Sequence, residues 1–128
     1  MEWLEKTHTQ NRTQFDCDVV VTLEKRANAT MLLFKFRKNS IYKIVSNEDY
    51  IVLAEDGANI YFKEADAKRG FKIGEWSASV KVVKINLDRL PLTENQLGEY
   101  NIEFDSKLGL HYICLNRKLE KSLFWETK

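Results

Sequence analysis

Cysteine and histidine are nearly missing from this chain. Cys17 and Cys114 form no Cys-x-x-Cys pair, and with only His8 and His111 no zinc-ligand spacing can be assembled. Two buried, reduced thiols are the expected state of the cysteines. Glycine is sparse as well, and Gly70 and Gly74 stand too isolated to cradle phosphates. No Gly-x-Ser-x-Gly, phosphate-binding glycine loop or zinc-protease pattern occurs. A serine or cysteine nucleophile needs a histidine base within reach. Strand parity sets His111 on the face opposite Cys114, and His8 falls in a polar terminal stretch. The expectation is therefore a chain with no catalytic residues, no cofactor and no resident metal.

Long apolar runs are also lacking. None approaches the roughly 18 residues that a membrane span requires, and the opening MEWLEKTHTQNRTQ has no basic segment followed by an apolar one. These two absences imply a cytoplasmic protein with no membrane partner. At 128 residues the chain fits one domain, and 44% hydrophobic with 30% charged residues argues against intrinsic disorder. A formal charge of +1 gives the surface as a whole no pull on nucleic acid or membrane. Any electrostatic function must come from how charge is distributed.

The distribution is uneven. From Lys25 to Asn47 the cations Lys25, Arg26, Lys35, Arg37, Lys38 and Lys43 occur without a single acid, so the remainder of the chain is net acidic. The same stretch is the most apolar in the sequence. In 31–37 (MLLFKFR), alternation sets Leu32, Phe34 and Phe36 on one face, with Leu33, Lys35 and Arg37 on the other. Sharing a face with Leu32 makes the two phenylalanines core residues rather than a platform for bases.

Elsewhere, residues 1–14 read as a polar N-terminal arm carrying Trp3 and Leu4, and 15–128 as a single β domain. Strands are expected at 15–24, 31–37, 41–45, 50–54, 60–63, 76–87, 100–105 and 110–115, with a last one favoured at 122–126 over the terminal helix that Leu115, Leu119 and Leu123 at spacing four would also fit. Asp56-Gly57 marks a hairpin turn. Residues 64–69 can form a short helix ended by Gly70. Val80 and Val82 face one way and Val83 and Ile85 the other, which implies a bulge or a strand buried on both sides. Thr93-Glu94-Asn95-Gln96 has the form of a capping box. Tyr100, Ile102 and Phe104 alternate as an inward face. The fold class expected is mainly β: an antiparallel small barrel (OB-like or SH3-like in the order of its elements) or a sandwich, with one or two short helical turns.

Three functions are weighed. Single-strand binders combine a cationic groove with aromatics that stack bases. Here Lys35, Arg37, Lys38 and Lys43 would supply charge, and Tyr42, Tyr61 and Trp76 are the aromatics least committed to the core. The plainer reading of the same cations is a solvated sheet face that discourages edge-to-edge aggregation. A protein-interaction module (a small inhibitor, regulator or oligomeric structural subunit) is the alternative, with Phe124 and Trp125 as interface residues of a possible homo-oligomer. Least favoured is a divalent-metal-dependent enzyme, which would need Asp16, Asp18, Glu103 and Asp105 to meet across neighbouring strands.

Overall fold

The computed structural model describes residues 17–47 and 49–119. The expected arm at 1–14, the last strand at 122–126 and the interface candidates Phe124 and Trp125 lie outside the described residues.

The chain folds into two antiparallel sheets of five strands each. The first has the order β6 (Gly74–Ser77), β7 (Val80–Asn86), β2 (Thr30–Arg37), β1 (Val19–Lys25), β8 (Gly98–Tyr100). In the second the order is β5 (Phe71–Lys72), β3 (Tyr50–Glu55), β4 (Asn59–Ala65), β10 (Leu110–Cys114), β9 (Glu103–Asp105). A four-residue helical turn, α1 (Lys38–Ile41), follows β2. The sheets lie face to face in a sandwich-like arrangement, and among the described residues no strand pairing joins them.

Alternation explains the core. Val19 and Val21, Leu32, Phe34 and Phe36, and Val83 and Ile85 come from the first sheet; Ile51, Ile60, Phe62 and Ile113 come from the second. Phe62 meets Phe34 and Phe36 edge-on, with ring centroids 6.1 and 5.3 Å apart, which locks the layers together. Each such buried side chain contributes roughly 1.5–3 kcal/mol. In β7, Val80 and Val82 are buried on the outer side while Val83 and Ile85 enter the core, so this strand is apolar on both faces. The bulge lies instead in β6, between Glu75 and Ser77.

Three aspartates build the turns of the second sheet. Asp56 Oδ1 accepts the N–H groups of Ala58 and Asn59, Asp66 Oδ1 those of Lys68 and Arg69, and Asp105 Oδ1 those of Lys107 and Leu108. Aspartate favours turns because its carboxylate bonds the backbone two and three residues on. Gly57, at φ +92°, supplies the left-handed residue that the hairpin between β3 and β4 requires. Thr93 N–H donates to Gln96 Oε1 at 2.8 Å, so the capping box forms.

Four expectations need correction. The single strand expected over 76–87 is two antiparallel strands, β6 and β7, joined by a turn at residues 78–79. Residues 41–45 are not a strand: Ile41, Ile44 and Val45 project into the core from α1 and the turns after it. Residues 64–69 form no helix, because 64–65 end β4 and the chain turns from 66 to 70. Phe104 is 56% exposed: the chain leaves the first sheet after Tyr100 and enters the second as its edge strand, where Phe104 shares the face of His111 and Phe62 without being covered.

Candidate nucleic-acid interface

The outer face of the first sheet carries the residues of β2 that point away from the core. Register sets Lys35 between Val20 of β1 and Val82 of β7, Leu33 beside Lys84, and Arg37 opposite Val80. Lys35 and Arg37 thus share a face about 7 Å apart along one strand. The floor between the cations is apolar, since Leu33 and Val82 are buried.

Trp76 falls at the β6 bulge. Bulges re-aim side chains, and here the indole lies under the Lys35 ammonium, with Nζ 4.2 Å from the ring centroid. That geometry is a cation–π contact. Burial pushes the Lys35 pKa down, against the opposing pull of Glu24. Trp76 itself remains 46% exposed.

Where β2 passes into α1, backbone bonds hold the next two cations. Arg37 N–H donates to the Asp18 carbonyl and Lys38 N–H to the Ser79 carbonyl, each at 2.9 Å. Arg37, Lys38, Asn39, Ala78 and Ser79 line a small cleft there. One helical turn further, Tyr42 is exposed and sits near enough to Lys81 to help raise that ammonium's pKa, after the larger effect of the Glu75 carboxylate bonded to it at 2.5 Å. Lys35, Arg37, Lys38 and Trp76 therefore lie at one corner of the first sheet, whereas Tyr42 neighbours Lys81, whose register partner is the core-facing Phe36.

Lys43 and Tyr61 do not join them. Lys43 lies beside His111, whose pKa is held down first by burial and then by the Lys43 charge, and whose ring packs on Phe104 at 4.9 Å. Tyr61 is on the outer face of the second sheet. Its hydroxyl donates to Asp56 Oδ2 at 3.2 Å and accepts from Asn59 Nδ2 at 3.1 Å, and its ring packs on Tyr112 at 5.5 Å. Tyr112 donates to Glu103, which Arg117 grips with two bonds of 2.7 Å. Alternation reveals which face of a strand a residue occupies, but not to which sheet the strand belongs. It also passed over Lys84, an exposed cation beside Leu33; the inward Val83 and Ile85 were the signal that could have found it.

The acids are committed separately. Asp18 accepts from Ser40 Oγ at 2.6 Å and from the Ile102 N–H at 2.7 Å, so its carboxylate is committed to the backbone crossing and the helical turn beside the basic corner. Asp16 lies outside the described residues. Among the described residues, no group of three or more His, Cys, Asp or Glu side chains is placed to hold a metal ion. Cys17 and Cys114 are free and buried.

Comparison with known proteins finds no matching family model, curated protein or solved structure. Among the described residues no helix is long and apolar enough to cross a membrane.

Proposed function

We propose that this chain is a non-catalytic binding domain that takes single-stranded nucleic acid at the corner of its first sheet. The observation that carries the reading is the Lys35–Trp76 stack beside Arg37 and Lys38. One ring face of Trp76 is backed by an ammonium at 4.2 Å and the indole is 46% exposed; in this reading a base stacks on the other face. Base stacking on such a ring contributes about 1–3 kcal/mol, and it is tolerant of sequence because every base has a π face. The cations alongside meet the backbone phosphates. Lys43 and Tyr61 drop out of the site, and Lys84 enters it. Counting the two sheets as a sandwich or as a small OB-like barrel leaves this corner unchanged. The reading assigns the protein to the cytoplasm, where reduced thiols persist.

Fluorescence anisotropy of a labelled oligo-dT tests it. Two or three phosphate contacts should give a log K against log salt slope of roughly −1.5 to −2. Absence of binding at low salt would transfer the assignment to the second reading.

That second reading is a protein-interaction module, favoured by one observation. Tyr61 and Tyr112 are paired on a sheet face with both hydroxyls fixed by carboxylates, and tyrosines held in one conformation are common interface anchors. Light scattering of the wild type against Tyr61→Ala and Tyr112→Ala would detect self-association through that face.

A further inference from the structure

A cavity of about 480 Å³ on the second sheet is lined by Lys63 and Arg69 as well as Glu64 and Asp66, so its charges balance and give an anion no net attraction. The cleft between the end of β2 and the turn joining β6 to β7 is different. Its volume is about 220 Å³, and its wall holds Arg37, Lys38, Asn39, Ala78 and Ser79 with no carboxylate. Drug-sized and cofactor-sized sites run to roughly 300–1,000 Å³, so this space suits a single phosphate group with part of its sugar. Glu75, an acid close enough to feel Lys38, is already bonded to Lys81.

The wall is also held in place. Bonds from Arg37 N–H to the Asp18 carbonyl and from Lys38 N–H to the Ser79 carbonyl fix the backbone on both sides of the cleft. Arg37 is exposed, and among the described residues its guanidinium has no ion-pair partner. A guanidinium presents a planar fork that matches phosphate oxygens, and an adjacent ammonium adds a point charge. Asn39 and Ser79 contribute neutral donors of the kind that position a phosphate without adding charge.

We propose that this cleft is a phosphate subsite that seats one phosphodiester of a strand whose base stacks on Trp76. The inference rests on the nucleic-acid reading for the identity of its ligand, but the cleft's affinity for phosphate can be measured by itself. Cleft and indole together define a one-nucleotide unit, and they give the bound strand a direction across the corner.

The test uses the full chain and an Arg37→Gln/Lys38→Gln double variant, with Lys43→Gln as a control outside the cleft. Circular dichroism establishes that each variant is folded. In thermal melts, inorganic phosphate should raise the wild-type Tm above the value in chloride of matched ionic strength. Lys43→Gln should keep that rise and the double variant should lose it. In oligo-dT titrations the double variant's salt slope should be shallower by roughly 0.7, the value for one lost phosphate contact, with Lys43→Gln unchanged. Phosphate acting no differently from chloride on the wild type would overturn the subsite, as would a double variant that binds oligo-dT with the wild-type slope. If oligo-dT fails to bind the wild type, the nucleic-acid reading falls, and the phosphate melts alone decide whether the cleft is an anion site.

Discussion

The carboxylate of Asp18 accepts the backbone N–H of Ile102 at 2.7 Å, joining positions 84 residues apart. Ile102 lies where the chain steps from β8 in one sheet to β9 in the other, and a backbone between sheets has no ladder partner for its N–H. The other carboxylate oxygen takes the hydroxyl of buried Ser40, so one side chain also fastens α1. Asp18 thereby ties the start of β1, the helical turn that carries the basic corner, and the crossing between layers.

Asp18→Ala should cost roughly 2–4 kcal/mol, because it strands a hydroxyl and an N–H away from water. Asp18→Asn keeps an acceptor oxygen and should cost less. Urea unfolding measures both, with the midpoint falling at constant m. A loss under about 0.5 kcal/mol for Asp18→Ala, the range of ordinary surface substitutions, would contradict this role.

Cys17 makes a pH prediction. Burial, followed by the nearby Glu99 carboxylate, pushes its thiol up from the ordinary 9.0 to about 12. The folded chain therefore holds this proton more tightly than the unfolded one. The resulting stability is fully present below pH 9 and declines as pH rises from 9 toward 12. Across that window Cys17→Ala should lose less stability than the wild type in denaturant titrations. Equal losses would mean that the thiol is not protected by the fold.

His111 works in the opposite pH range. Burial and Lys43 depress its pKa, so the fold favours the neutral ring. Stability from this source is complete above the ordinary value near 6.5 and is lost as pH falls through the lowered one. Lys43→Gln removes the second cause alone. The ring's NMR titration midpoint should move up without reaching the ordinary value, and the stability loss between pH 7 and 5 should lessen. An unmoved midpoint would place Lys43 away from His111.

Much of this architecture was legible in the residues. The alternation of Leu32, Phe34 and Phe36 identified the core face of β2, and Asp56-Gly57 and Thr93–Gln96 marked a turn and a cap by their own local chemistry. The failures have a common cause, which is that tertiary contacts decide them. Ile41, Ile44 and Val45 carry the i, i+3, i+4 spacing of a helical turn, but a segment that short forms only with partners such as the Ser40–Asp18 bond. Phe104 alternates cleanly with Tyr100 and shares a face with His111 and core Phe62, yet it sits on the edge strand of the second sheet and stays exposed. The candidate site divided for the same reason. Trp76 reaches Lys35 through a bulge two strands away, while Lys43 and Tyr61 depart with the helical turn and the second sheet.

The most direct test is a ¹H–¹⁵N correlation titration of the full chain with a short oligo-dT at low salt. The account predicts shifts concentrated on Lys35, Arg37, Lys38, Ser79 and the Trp76 indole N–H, fading as salt is raised. Shifts centred on Tyr61 and Tyr112, or a spectrum that does not change, would contradict it.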